Sequence, residues 1–456
     1  MSPKEPLSVV QRTTTGAEGA LPHRATAWPE ARAAAVRAGT AARVEREAHR
    51  LPLGRSLGQV LAEPLLALTD LPSFDTSAMD GWAVTGPGQG PWTVRVETPL
   101  LAGRVPAAAP ADGEAVRIAT GAPVPPGTTA VIRTEHSRSE RTRNAGATPG
   151  TGLLLYALRE VVPGQDIRPR GQECRSGDVL LAAGSLVTPA VLGLAAAAGY
   201  DELPVSPRPR VEVLVLGDEL LTAGLPHDGL IRDALGPMLG PWLTALGAEV
   251  LATRRIGDDP EELHAAVTGS AADLVLTTGG TAAGPVDHLH RVLDTAGATL
   301  LVDGVKVRPG HPMLLAALDG RRHLVGLPGN PLAAVSGLLT LAEPFLAALT
   351  GVPPTGPPAA GDPPTTAVPS GGRASLQDEV HGHPHDTRLV PVVRRGGEQA
   401  VPLRYNGPAM LRGIAVADGM AVVPPGGARA GQVLDVLDLP WTPMSGAVPA
   451  QGACFT

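Results

Sequence analysis

Between Arg210 and Gly351, apolar runs of strand length alternate with stretches of helical length, and this alternation is the clearest organising signal in the chain. Val211-Glu-Val-Leu-Val-Leu216, Val250 to Ile256 and Asp273 to Thr278 read as strands, with further strands near Leu300 and His323. Met238 to Leu246, Pro260 to Val267, Pro285 to Leu293 and Pro331 to about Leu349 read as helices between and after them. Such alternation predicts a doubly wound, mostly parallel sheet covered by helices, with ligands outside the carboxyl ends of its strands. Upstream, a helix is predicted from Pro29 through Val36, and Leu51 to Leu68 leads into a tight bend. Period-two alternation in Trp92-Thr-Val-Arg-Val96 and Ala130-Val-Ile-Arg133 predicts a small β-rich unit. Downstream, Leu389-Val-Pro-Val-Val393, Met420-Ala-Val-Val423 and Val433-Leu-Asp-Val-Leu437, separated by glycine turns, predict a small β-barrel or sandwich.

The expected organisation is therefore a tail (1–25), a discontinuous N-terminal domain (26–80 and 159–206) and an inserted β-rich domain (81–158). An α/β domain (207–351), a Pro-, Gly- and Thr-rich linker (352–372), a C-terminal β domain (373–440) and a second tail (441–456) follow. Aromatic residues make up only 2% of the 456, so the cores must be built from Leu, Val and Ala. A net charge of −7 leaves no basic footprint for nucleic acid. Cys174 and Cys454 cannot form a disulfide framework, and the sequence suggests neither a secretory signal nor an apolar run near the ~20 residues that span a bilayer. The expected compartment is the cytoplasm. Lys4 and Lys306 are the only lysines, so arginine is the default cation of this chain.

Candidate chemistry concentrates in loops. Leu71-Pro-Ser-Phe-Asp-Thr-Ser-Ala-Met-Asp-Gly-Trp-Ala-Val84 sets Asp75 and Asp80 among small, rigid residues where a core strand would be apolar. Taken alone, Asp75 reads as a turn residue that bonds backbone amides. Asp273-Leu-Val-Leu-Thr-Thr-Gly-Gly-Thr-Ala-Ala-Gly-Pro285 is a strand entering a glycine-rich loop and then a helix, an arrangement whose free amides bind anions. Gly326-Leu-Pro-Gly-Asn-Pro331 is a second such loop, in which Asn330 can cap the helix opened by Pro331. Carboxylates follow three strands of the same sheet: Asp218-Glu219, Asp258-Asp259 and, in the first turn of a helix, Asp287. Asp287 alone suits a helix dipole as well as it suits Mg2+, but acidic residues converging on one rim are hard to explain as solvated surface.

The Phe74 to Val84 segment resembles the F-D-N-S-A-M-D-G-Y-A-V signature of the molybdopterin molybdenumtransferase family, which includes MoeA and the gephyrin E domain, with Thr76 for the Asn and Trp82 for the Tyr. Six more segments resemble that family in order: Arg117 to Pro123, Ile167 to Gly171, Gly217 to Leu220, Asp258 to Pro260, Thr277 to Gly284 and Gly326 to Pro331. The resemblance implies a cytosolic, homodimeric transferase that takes adenylylated molybdopterin and molybdate, cleaves the adenylyl phosphate with Mg2+, and releases AMP and molybdenum cofactor. It implies Asp80, Asp258, Asp287 and Glu219 as catalytic residues, the first three holding Mg2+, with Asp80 completing the site across the dimer. Cofactor-binding residues carried over are Thr278, Gly279, Gly280, Thr281, Gly284, Pro328, Gly329, Asn330, Thr120 and Arg170, with Arg308 and His311 near the oxoanion. Further partners implied are an upstream adenylyltransferase or molybdoenzyme targets.

The chain departs from the family at several of these positions. The family's K-P-G-K-P is Arg308-Pro-Gly-His-Pro312 here: Arg308 keeps the charge and can grip an oxoanion in a fork, whereas a neutral His311 offers a hydrogen bond only. Ala282 and Ala333 replace serines, Leu216 replaces a threonine, Asp233-Ala-Leu235 replaces D-T-N, and Gln172-Glu173 replaces E-D. These losses of hydroxyl and charge leave a non-catalytic molybdopterin-binding paralogue as the second expectation. A molybdopterin adenylyltransferase is the third, and the retained Asp80 segment argues against it.

Overall fold

The computed structural model describes residues 25–44, 47–86, 88–95, 99–104, 109–141, 152–281, 288–351, 372–396 and 398–441. They form two compact units, one containing residues 209–349 with the C-terminal region and the N-terminal helix, the other built from residues 46–208.

The first unit begins with helix α1 (Trp28–Val44), twice the length that its sequence predicted. Trp28, Ala31, Arg32, Ala35, Ala38 and Ala42 are buried, a helical spacing whose small side chains let the backbone come close to its neighbour. Strand β1 (Arg210–Leu216) is followed by α2 (Leu235–Ala245), β2 (Glu249–Ile256), α3 (Pro260–Gly269), β3 (Leu274–Thr278) and α4 (Leu289–Thr295). Next come β4 (Thr299–Asp303), β5 (Val305–Arg308), β6 (Leu314–Ala317) and β7 (His323–Leu327). The sheet order is β2-β1-β3-β7-β6-β4. Its first four strands are parallel, as predicted, while β6 and β4 add an antiparallel edge. Strands β5 and β6 went unpredicted because each has only four residues, too few to show a period.

Strand residues alternate between the two faces of this sheet. Val211, Val213, Val215, Leu274, Leu276 and Val325 join the core on one side, and Leu214, Val275 and Leu324 join a second core against α3 and α4. The first side is filled by a continuous helical run: α5 (Pro331–Gly337), a π-helical segment (Leu338–Ala342) and α6 (Glu343–Thr350). This run of 20 residues has a mean hydropathy of 1.8 and is long and apolar enough to cross a membrane by length and composition, contrary to the expectation that no such run exists. Almost all of it is buried, which accounts for its composition in a core helix. The π segment leaves carbonyls out of the regular ladder, and the buried Arg32 of α1 donates to one of them, that of Leu339. Trp28 Nε1 donates to Thr340 Oγ1 at 3.0 Å.

Strands β8 (Arg373–Leu376), β9 (Thr387–Arg395), β10 (Gln399–Pro402), β11 (Gly419–Val423) and β12 (Val433–Asp438) close into a five-stranded ring, β9-β10-β8-β12-β11-β9, giving the expected barrel. Val390, Val392, Ala421, Val423 and Val436 fill the ring, while Leu389, Met420 and Leu437 point outward into the same core as α1 and α5. Strand β5 runs parallel to the start of β9, pairing Val307 with Thr387 and Arg308 with Arg388.

The second unit contains a six-stranded sheet that includes Gly81–Thr85, Glu114–Ile118 and Thr128–Arg133, and a three-stranded sheet of His49–Pro52, Val60–Leu61 and Glu202–Ser206. Helix Pro189–Ala197 starts at Thr188, whose hydroxyl accepts from the Val191 amide.

Gly39 decides how closely α1 can seat: a Cβ there would lie 2.3 Å from the Phe345 carbonyl oxygen of α6. Gly39→Ala is therefore expected to destabilise the protein by about 1–3 kcal/mol, although in an open helix the same change is favourable by up to ~1 kcal/mol. Denaturant unfolding measures this, and a variant as stable as the parent would mean that the α1 contact is not limiting.

Candidate functional site

Four adjacent parallel strands, β1, β2, β3 and β7, deliver their following loops to one rim of the sheet. Glycine shapes each exit. Gly217 has φ +128°, and a Cβ on it would lie 2.3 Å from the Glu219 carboxylate. Gly279 and Gly280 follow β3 with φ +85° and +66°, conformations that a side chain would strain. The Gly279 amide donates to the Leu327 carbonyl at 2.8 Å, and a Cβ at Gly329 would lie 3.7 Å from Gly279 Cα. The two glycine loops predicted from sequence thus lie side by side. Gly326 is required by packing: a Cβ there would lie within 2.9 Å of Leu314, Leu289 and Thr281. Thr278, Thr281 and Pro328 are buried beneath the rim, and Gly329 and Asn330 are exposed on it.

The carboxylates divide into two kinds. Asp259 accepts from the Glu261 and Glu262 amides at 2.8 and 3.4 Å and caps α3. Asp233 caps α2 through the Leu235 and Gly236 amides, both at 2.9 Å. Asp218, Glu219 and Asp258 are exposed and free of such duties, and the Asp218 carboxylate sits against Gly257, whose Cβ would meet it at 3.0 Å. Arg255 braces this turn, donating to the carbonyls of Gly217 and Asp218, both at 3.1 Å. Gly284 and Asp287 lie outside the described residues. Among the described residues no three His, Cys, Asp or Glu side chains stand close enough to hold a metal ion.

The segment expected to grip an oxoanion is already partly engaged. Arg308 Nε donates to Asp386 Oδ2 at 2.8 Å, and Asp386 is almost buried while Arg308 is half exposed. His311 Nδ1 lies 2.8 Å from the Val305 carbonyl oxygen, so Nδ1 carries the hydrogen. Nε2 of the neutral ring is then an acceptor, and His311 can donate to an anion through Nε2 only when protonated. Gly310 carries the loop over α5, where a Cβ would lie 3.0 Å from the Ala333 carbonyl oxygen.

The amides at the start of α5 are not open to an anion as expected. Leu332 N and Ala333 N both donate to the Pro408 carbonyl, at 2.9 and 3.2 Å. Asn330 occupies the N-cap position, but its side chain makes no capping hydrogen bond, so a carbonyl from the barrel does the work predicted for it. The Pro408 turn is held by Arg388, which donates to the His381 carbonyl at 2.6 Å and to Asn406 Oδ1 at 3.0 Å. Asp386, Arg388 and Pro408 were all missed in the sequence. Only the run His381-Gly-His-Pro-His-Asp386 hinted at them, as a cluster of polar groups immediately before a strand.

In the second unit Asp80 ends the bend that leads into Gly81–Thr85. Gly81 is obligatory there, since a Cβ would lie 2.0 Å from the Ile132 carbonyl oxygen. Asp80 Oδ1 accepts from the Thr120 amide at 2.7 Å and from its hydroxyl at 2.9 Å. These two bonds, the amide first, hold its carboxyl below the usual carboxylate range, with a smaller contribution from Arg117, stacked over Trp82. Asp75 bonds a backbone amide, that of Arg170 at 2.7 Å, as expected of a turn residue, and the Arg170 guanidinium pairs with Asp70. Beside the motif lies a cavity of about 660 Å3 lined by Leu71, Pro72, Thr76, Arg168, Gln172 and Glu173.

Residues 26–199 match the MoeA N-terminal region (domain I and II), 212–348 the probable molybdopterin binding domain, and 373–439 the MoeA C-terminal region (domain IV). Molybdopterin molybdenumtransferase 2 of Mycobacterium tuberculosis is 37% identical over 318 residues, spanning 66% of this chain and 75% of that protein. Molybdopterin molybdenumtransferase of Staphylococcus aureus is 30% identical over 401 residues, spanning 84% of this chain and 90% of that protein. A molybdopterin biosynthesis MoeA protein from Pyrococcus horikoshii shares the fold, with a TM-score of 0.71, 24% identity, and coverage of 91% of this chain and 99% of that one. From domain order and sequence relatives together, the chain belongs to the molybdopterin molybdenumtransferase (MoeA) family.

Proposed function

We propose that this protein inserts molybdenum into molybdopterin, taking adenylylated molybdopterin and molybdate and releasing AMP and molybdenum cofactor. The observation that carries this reading is the rim of the parallel sheet, where the Gly279–Gly280 and Gly329 loops lie side by side and which also bears the exposed carboxylates Glu219 and Asp258. Backbone at Gly279 and Gly280 can approach a phosphoryl group without a side chain in the way.

The donor set fits Mg2+, a hard cation that takes carboxylate oxygens. Asp258 and Glu219 are uncommitted, and Asp80 and Asp287 complete the set proposed from the family's motifs. When bound, Mg2+ would neutralise charge on the phosphate and polarise it toward attack. The protein's own contribution is position. Thr120 holds Asp80 ionised and in one orientation, and Arg308 presents guanidinium hydrogens to a tetrahedral oxoanion. We further propose a cytoplasmic homodimer in which Asp80 of one copy serves the rim of the other. A molybdopterin-binding protein without turnover is the second reading, and the engaged state of Arg308 and the filled amides of α5 favour it.

The purified chain given adenylylated molybdopterin and molybdate is expected to release AMP only with Mg2+ present; tight pterin binding with no AMP under either condition would select the second reading. Asp80→Asn should lose most of this turnover while its melting midpoint stays close to the parent's, because Asp80 is exposed. Thr120→Val keeps the amide bond to Asp80 and removes only the hydroxyl bond, so a smaller loss of about 3- to 10-fold is expected. Equal turnover of parent and Asp80→Asn at saturating Mg2+ would remove Asp80 from the site.

A further inference from the structure

The pairing of Arg308 with Asp386 has a consequence for the anion that Arg308 would bind. The guanidinium uses its Nε edge for Asp386, and among the described residues its Nη1 and Nη2 groups make no hydrogen bond. That outer edge has the two-donor geometry that fits a tetrahedral oxoanion. Asp386 is the less exposed partner, with a side chain only 9% accessible, so its charge is poorly screened by water. His383 is its other neighbour: Nδ1 lies 3.2 Å from Asp386 Oδ2 and 3.1 Å from the Asp386 amide. A neutral ring accepts from that amide and offers the carboxylate no hydrogen, so only a protonated His383 would offset the charge. A dianion arriving at the outer edge of Arg308 therefore meets a cation that is already neutralised and a carboxylate on its far side.

We propose that Asp386 sets the oxoanion affinity of this site, holding the Arg308 fork outward while weakening its grip on a dianion. This rests on the reading of Arg308 as an oxoanion ligand. The physical cause is Coulombic: the carboxylate and the bound dianion share one guanidinium and repel each other across it. At that separation, and with partial screening, the repulsion corresponds to about 5- to 20-fold in affinity. Such a brake suits a substrate that must leave the site during each turnover, because an unopposed arginine fork retains dianions.

The test is calorimetric titration of the full-length protein with sodium molybdate at fixed ionic strength, for the parent, Asp386→Asn, Arg308→Ala and the double variant. Asparagine keeps an acceptor for Nε and removes the charge. Asp386→Asn is expected to tighten molybdate binding 5- to 20-fold, and the gain should vanish in the Arg308→Ala background, a coupling that a purely structural role of Asp386 would not produce. Asp386→Ser, judged folded by its thermal transition, serves if the asparagine variant does not fold. Unchanged or weaker binding by the folded Asp386 variants overturns the inference; if Arg308→Ala weakens binding in the same experiment, the transferase reading stands. Parent-like binding by Arg308→Ala overturns the inference and removes Arg308 from the proposed site as well. Absence of molybdate binding in both parent and Asp386→Asn also overturns it.

Discussion

The candidate site depends on one apolar core, shared by α1, the helical run from α5 to α6 and the outward-facing residues Leu389, Met420 and Leu437 of the barrel. Were the barrel an independent domain on a linker, neither the Pro408 carbonyl nor Asp386 would have a set position relative to α5 and Arg308. Because both bodies bury the same side chains, the barrel packs as a further layer of the α/β unit. Contacts such as Arg308 to Asp386 are then part of the fold rather than chance encounters of two domains. The strand pairing of β5 with β9 carries the same join into the backbone.

Within that frame, glycine and carboxylate do different jobs. Gly279, Gly280 and Gly329 let two loops lie against each other and leave the rim free of side chains. The carboxylates then separate by their hydrogen bonds. Asp233 and Asp259 are used up as helix caps, while Asp218, Glu219 and Asp258 stay exposed and available to a cation. In the other unit Asp80 is held ionised by Thr120, and Asp75, its neighbour in the same motif, supports a loop. Both accept a backbone amide, but the amide bonded by Asp80 belongs to Thr120, whose hydroxyl bonds the same oxygen, whereas Asp75 bonds the amide of Arg170 alone.

The departures from the family's motifs also acquire a physical meaning. Arginine in place of lysine at position 308 supplies a planar fork that can bond Asp386 on one edge and an anion on the other, which a lysine ammonium does less selectively. His311 is turned to the Val305 carbonyl and stabilises the loop it belongs to.

The fold class was legible because alternation of apolar runs at periods of two and 3.6 is a property of the chain itself, and strands β1, β2, β3 and β7 each had enough residues to display it. The glycine loops and the Asp80 bend were legible for a related reason: their residue types satisfy local backbone and turn requirements wherever the chain goes. The true length of α1, its place against α6 and the four-residue strands β5 and β6 were not legible, since they are stabilised by contacts with residues hundreds of positions away or by sheet neighbours. The same holds for the partners of Arg308 and for the cap of α5. Sequence by itself determined which residues could carry chemistry and which backbone turns they sit in; only the tertiary structure decided which were already spoken for, because a hydrogen bond joins groups by distance in space and not by position in the chain.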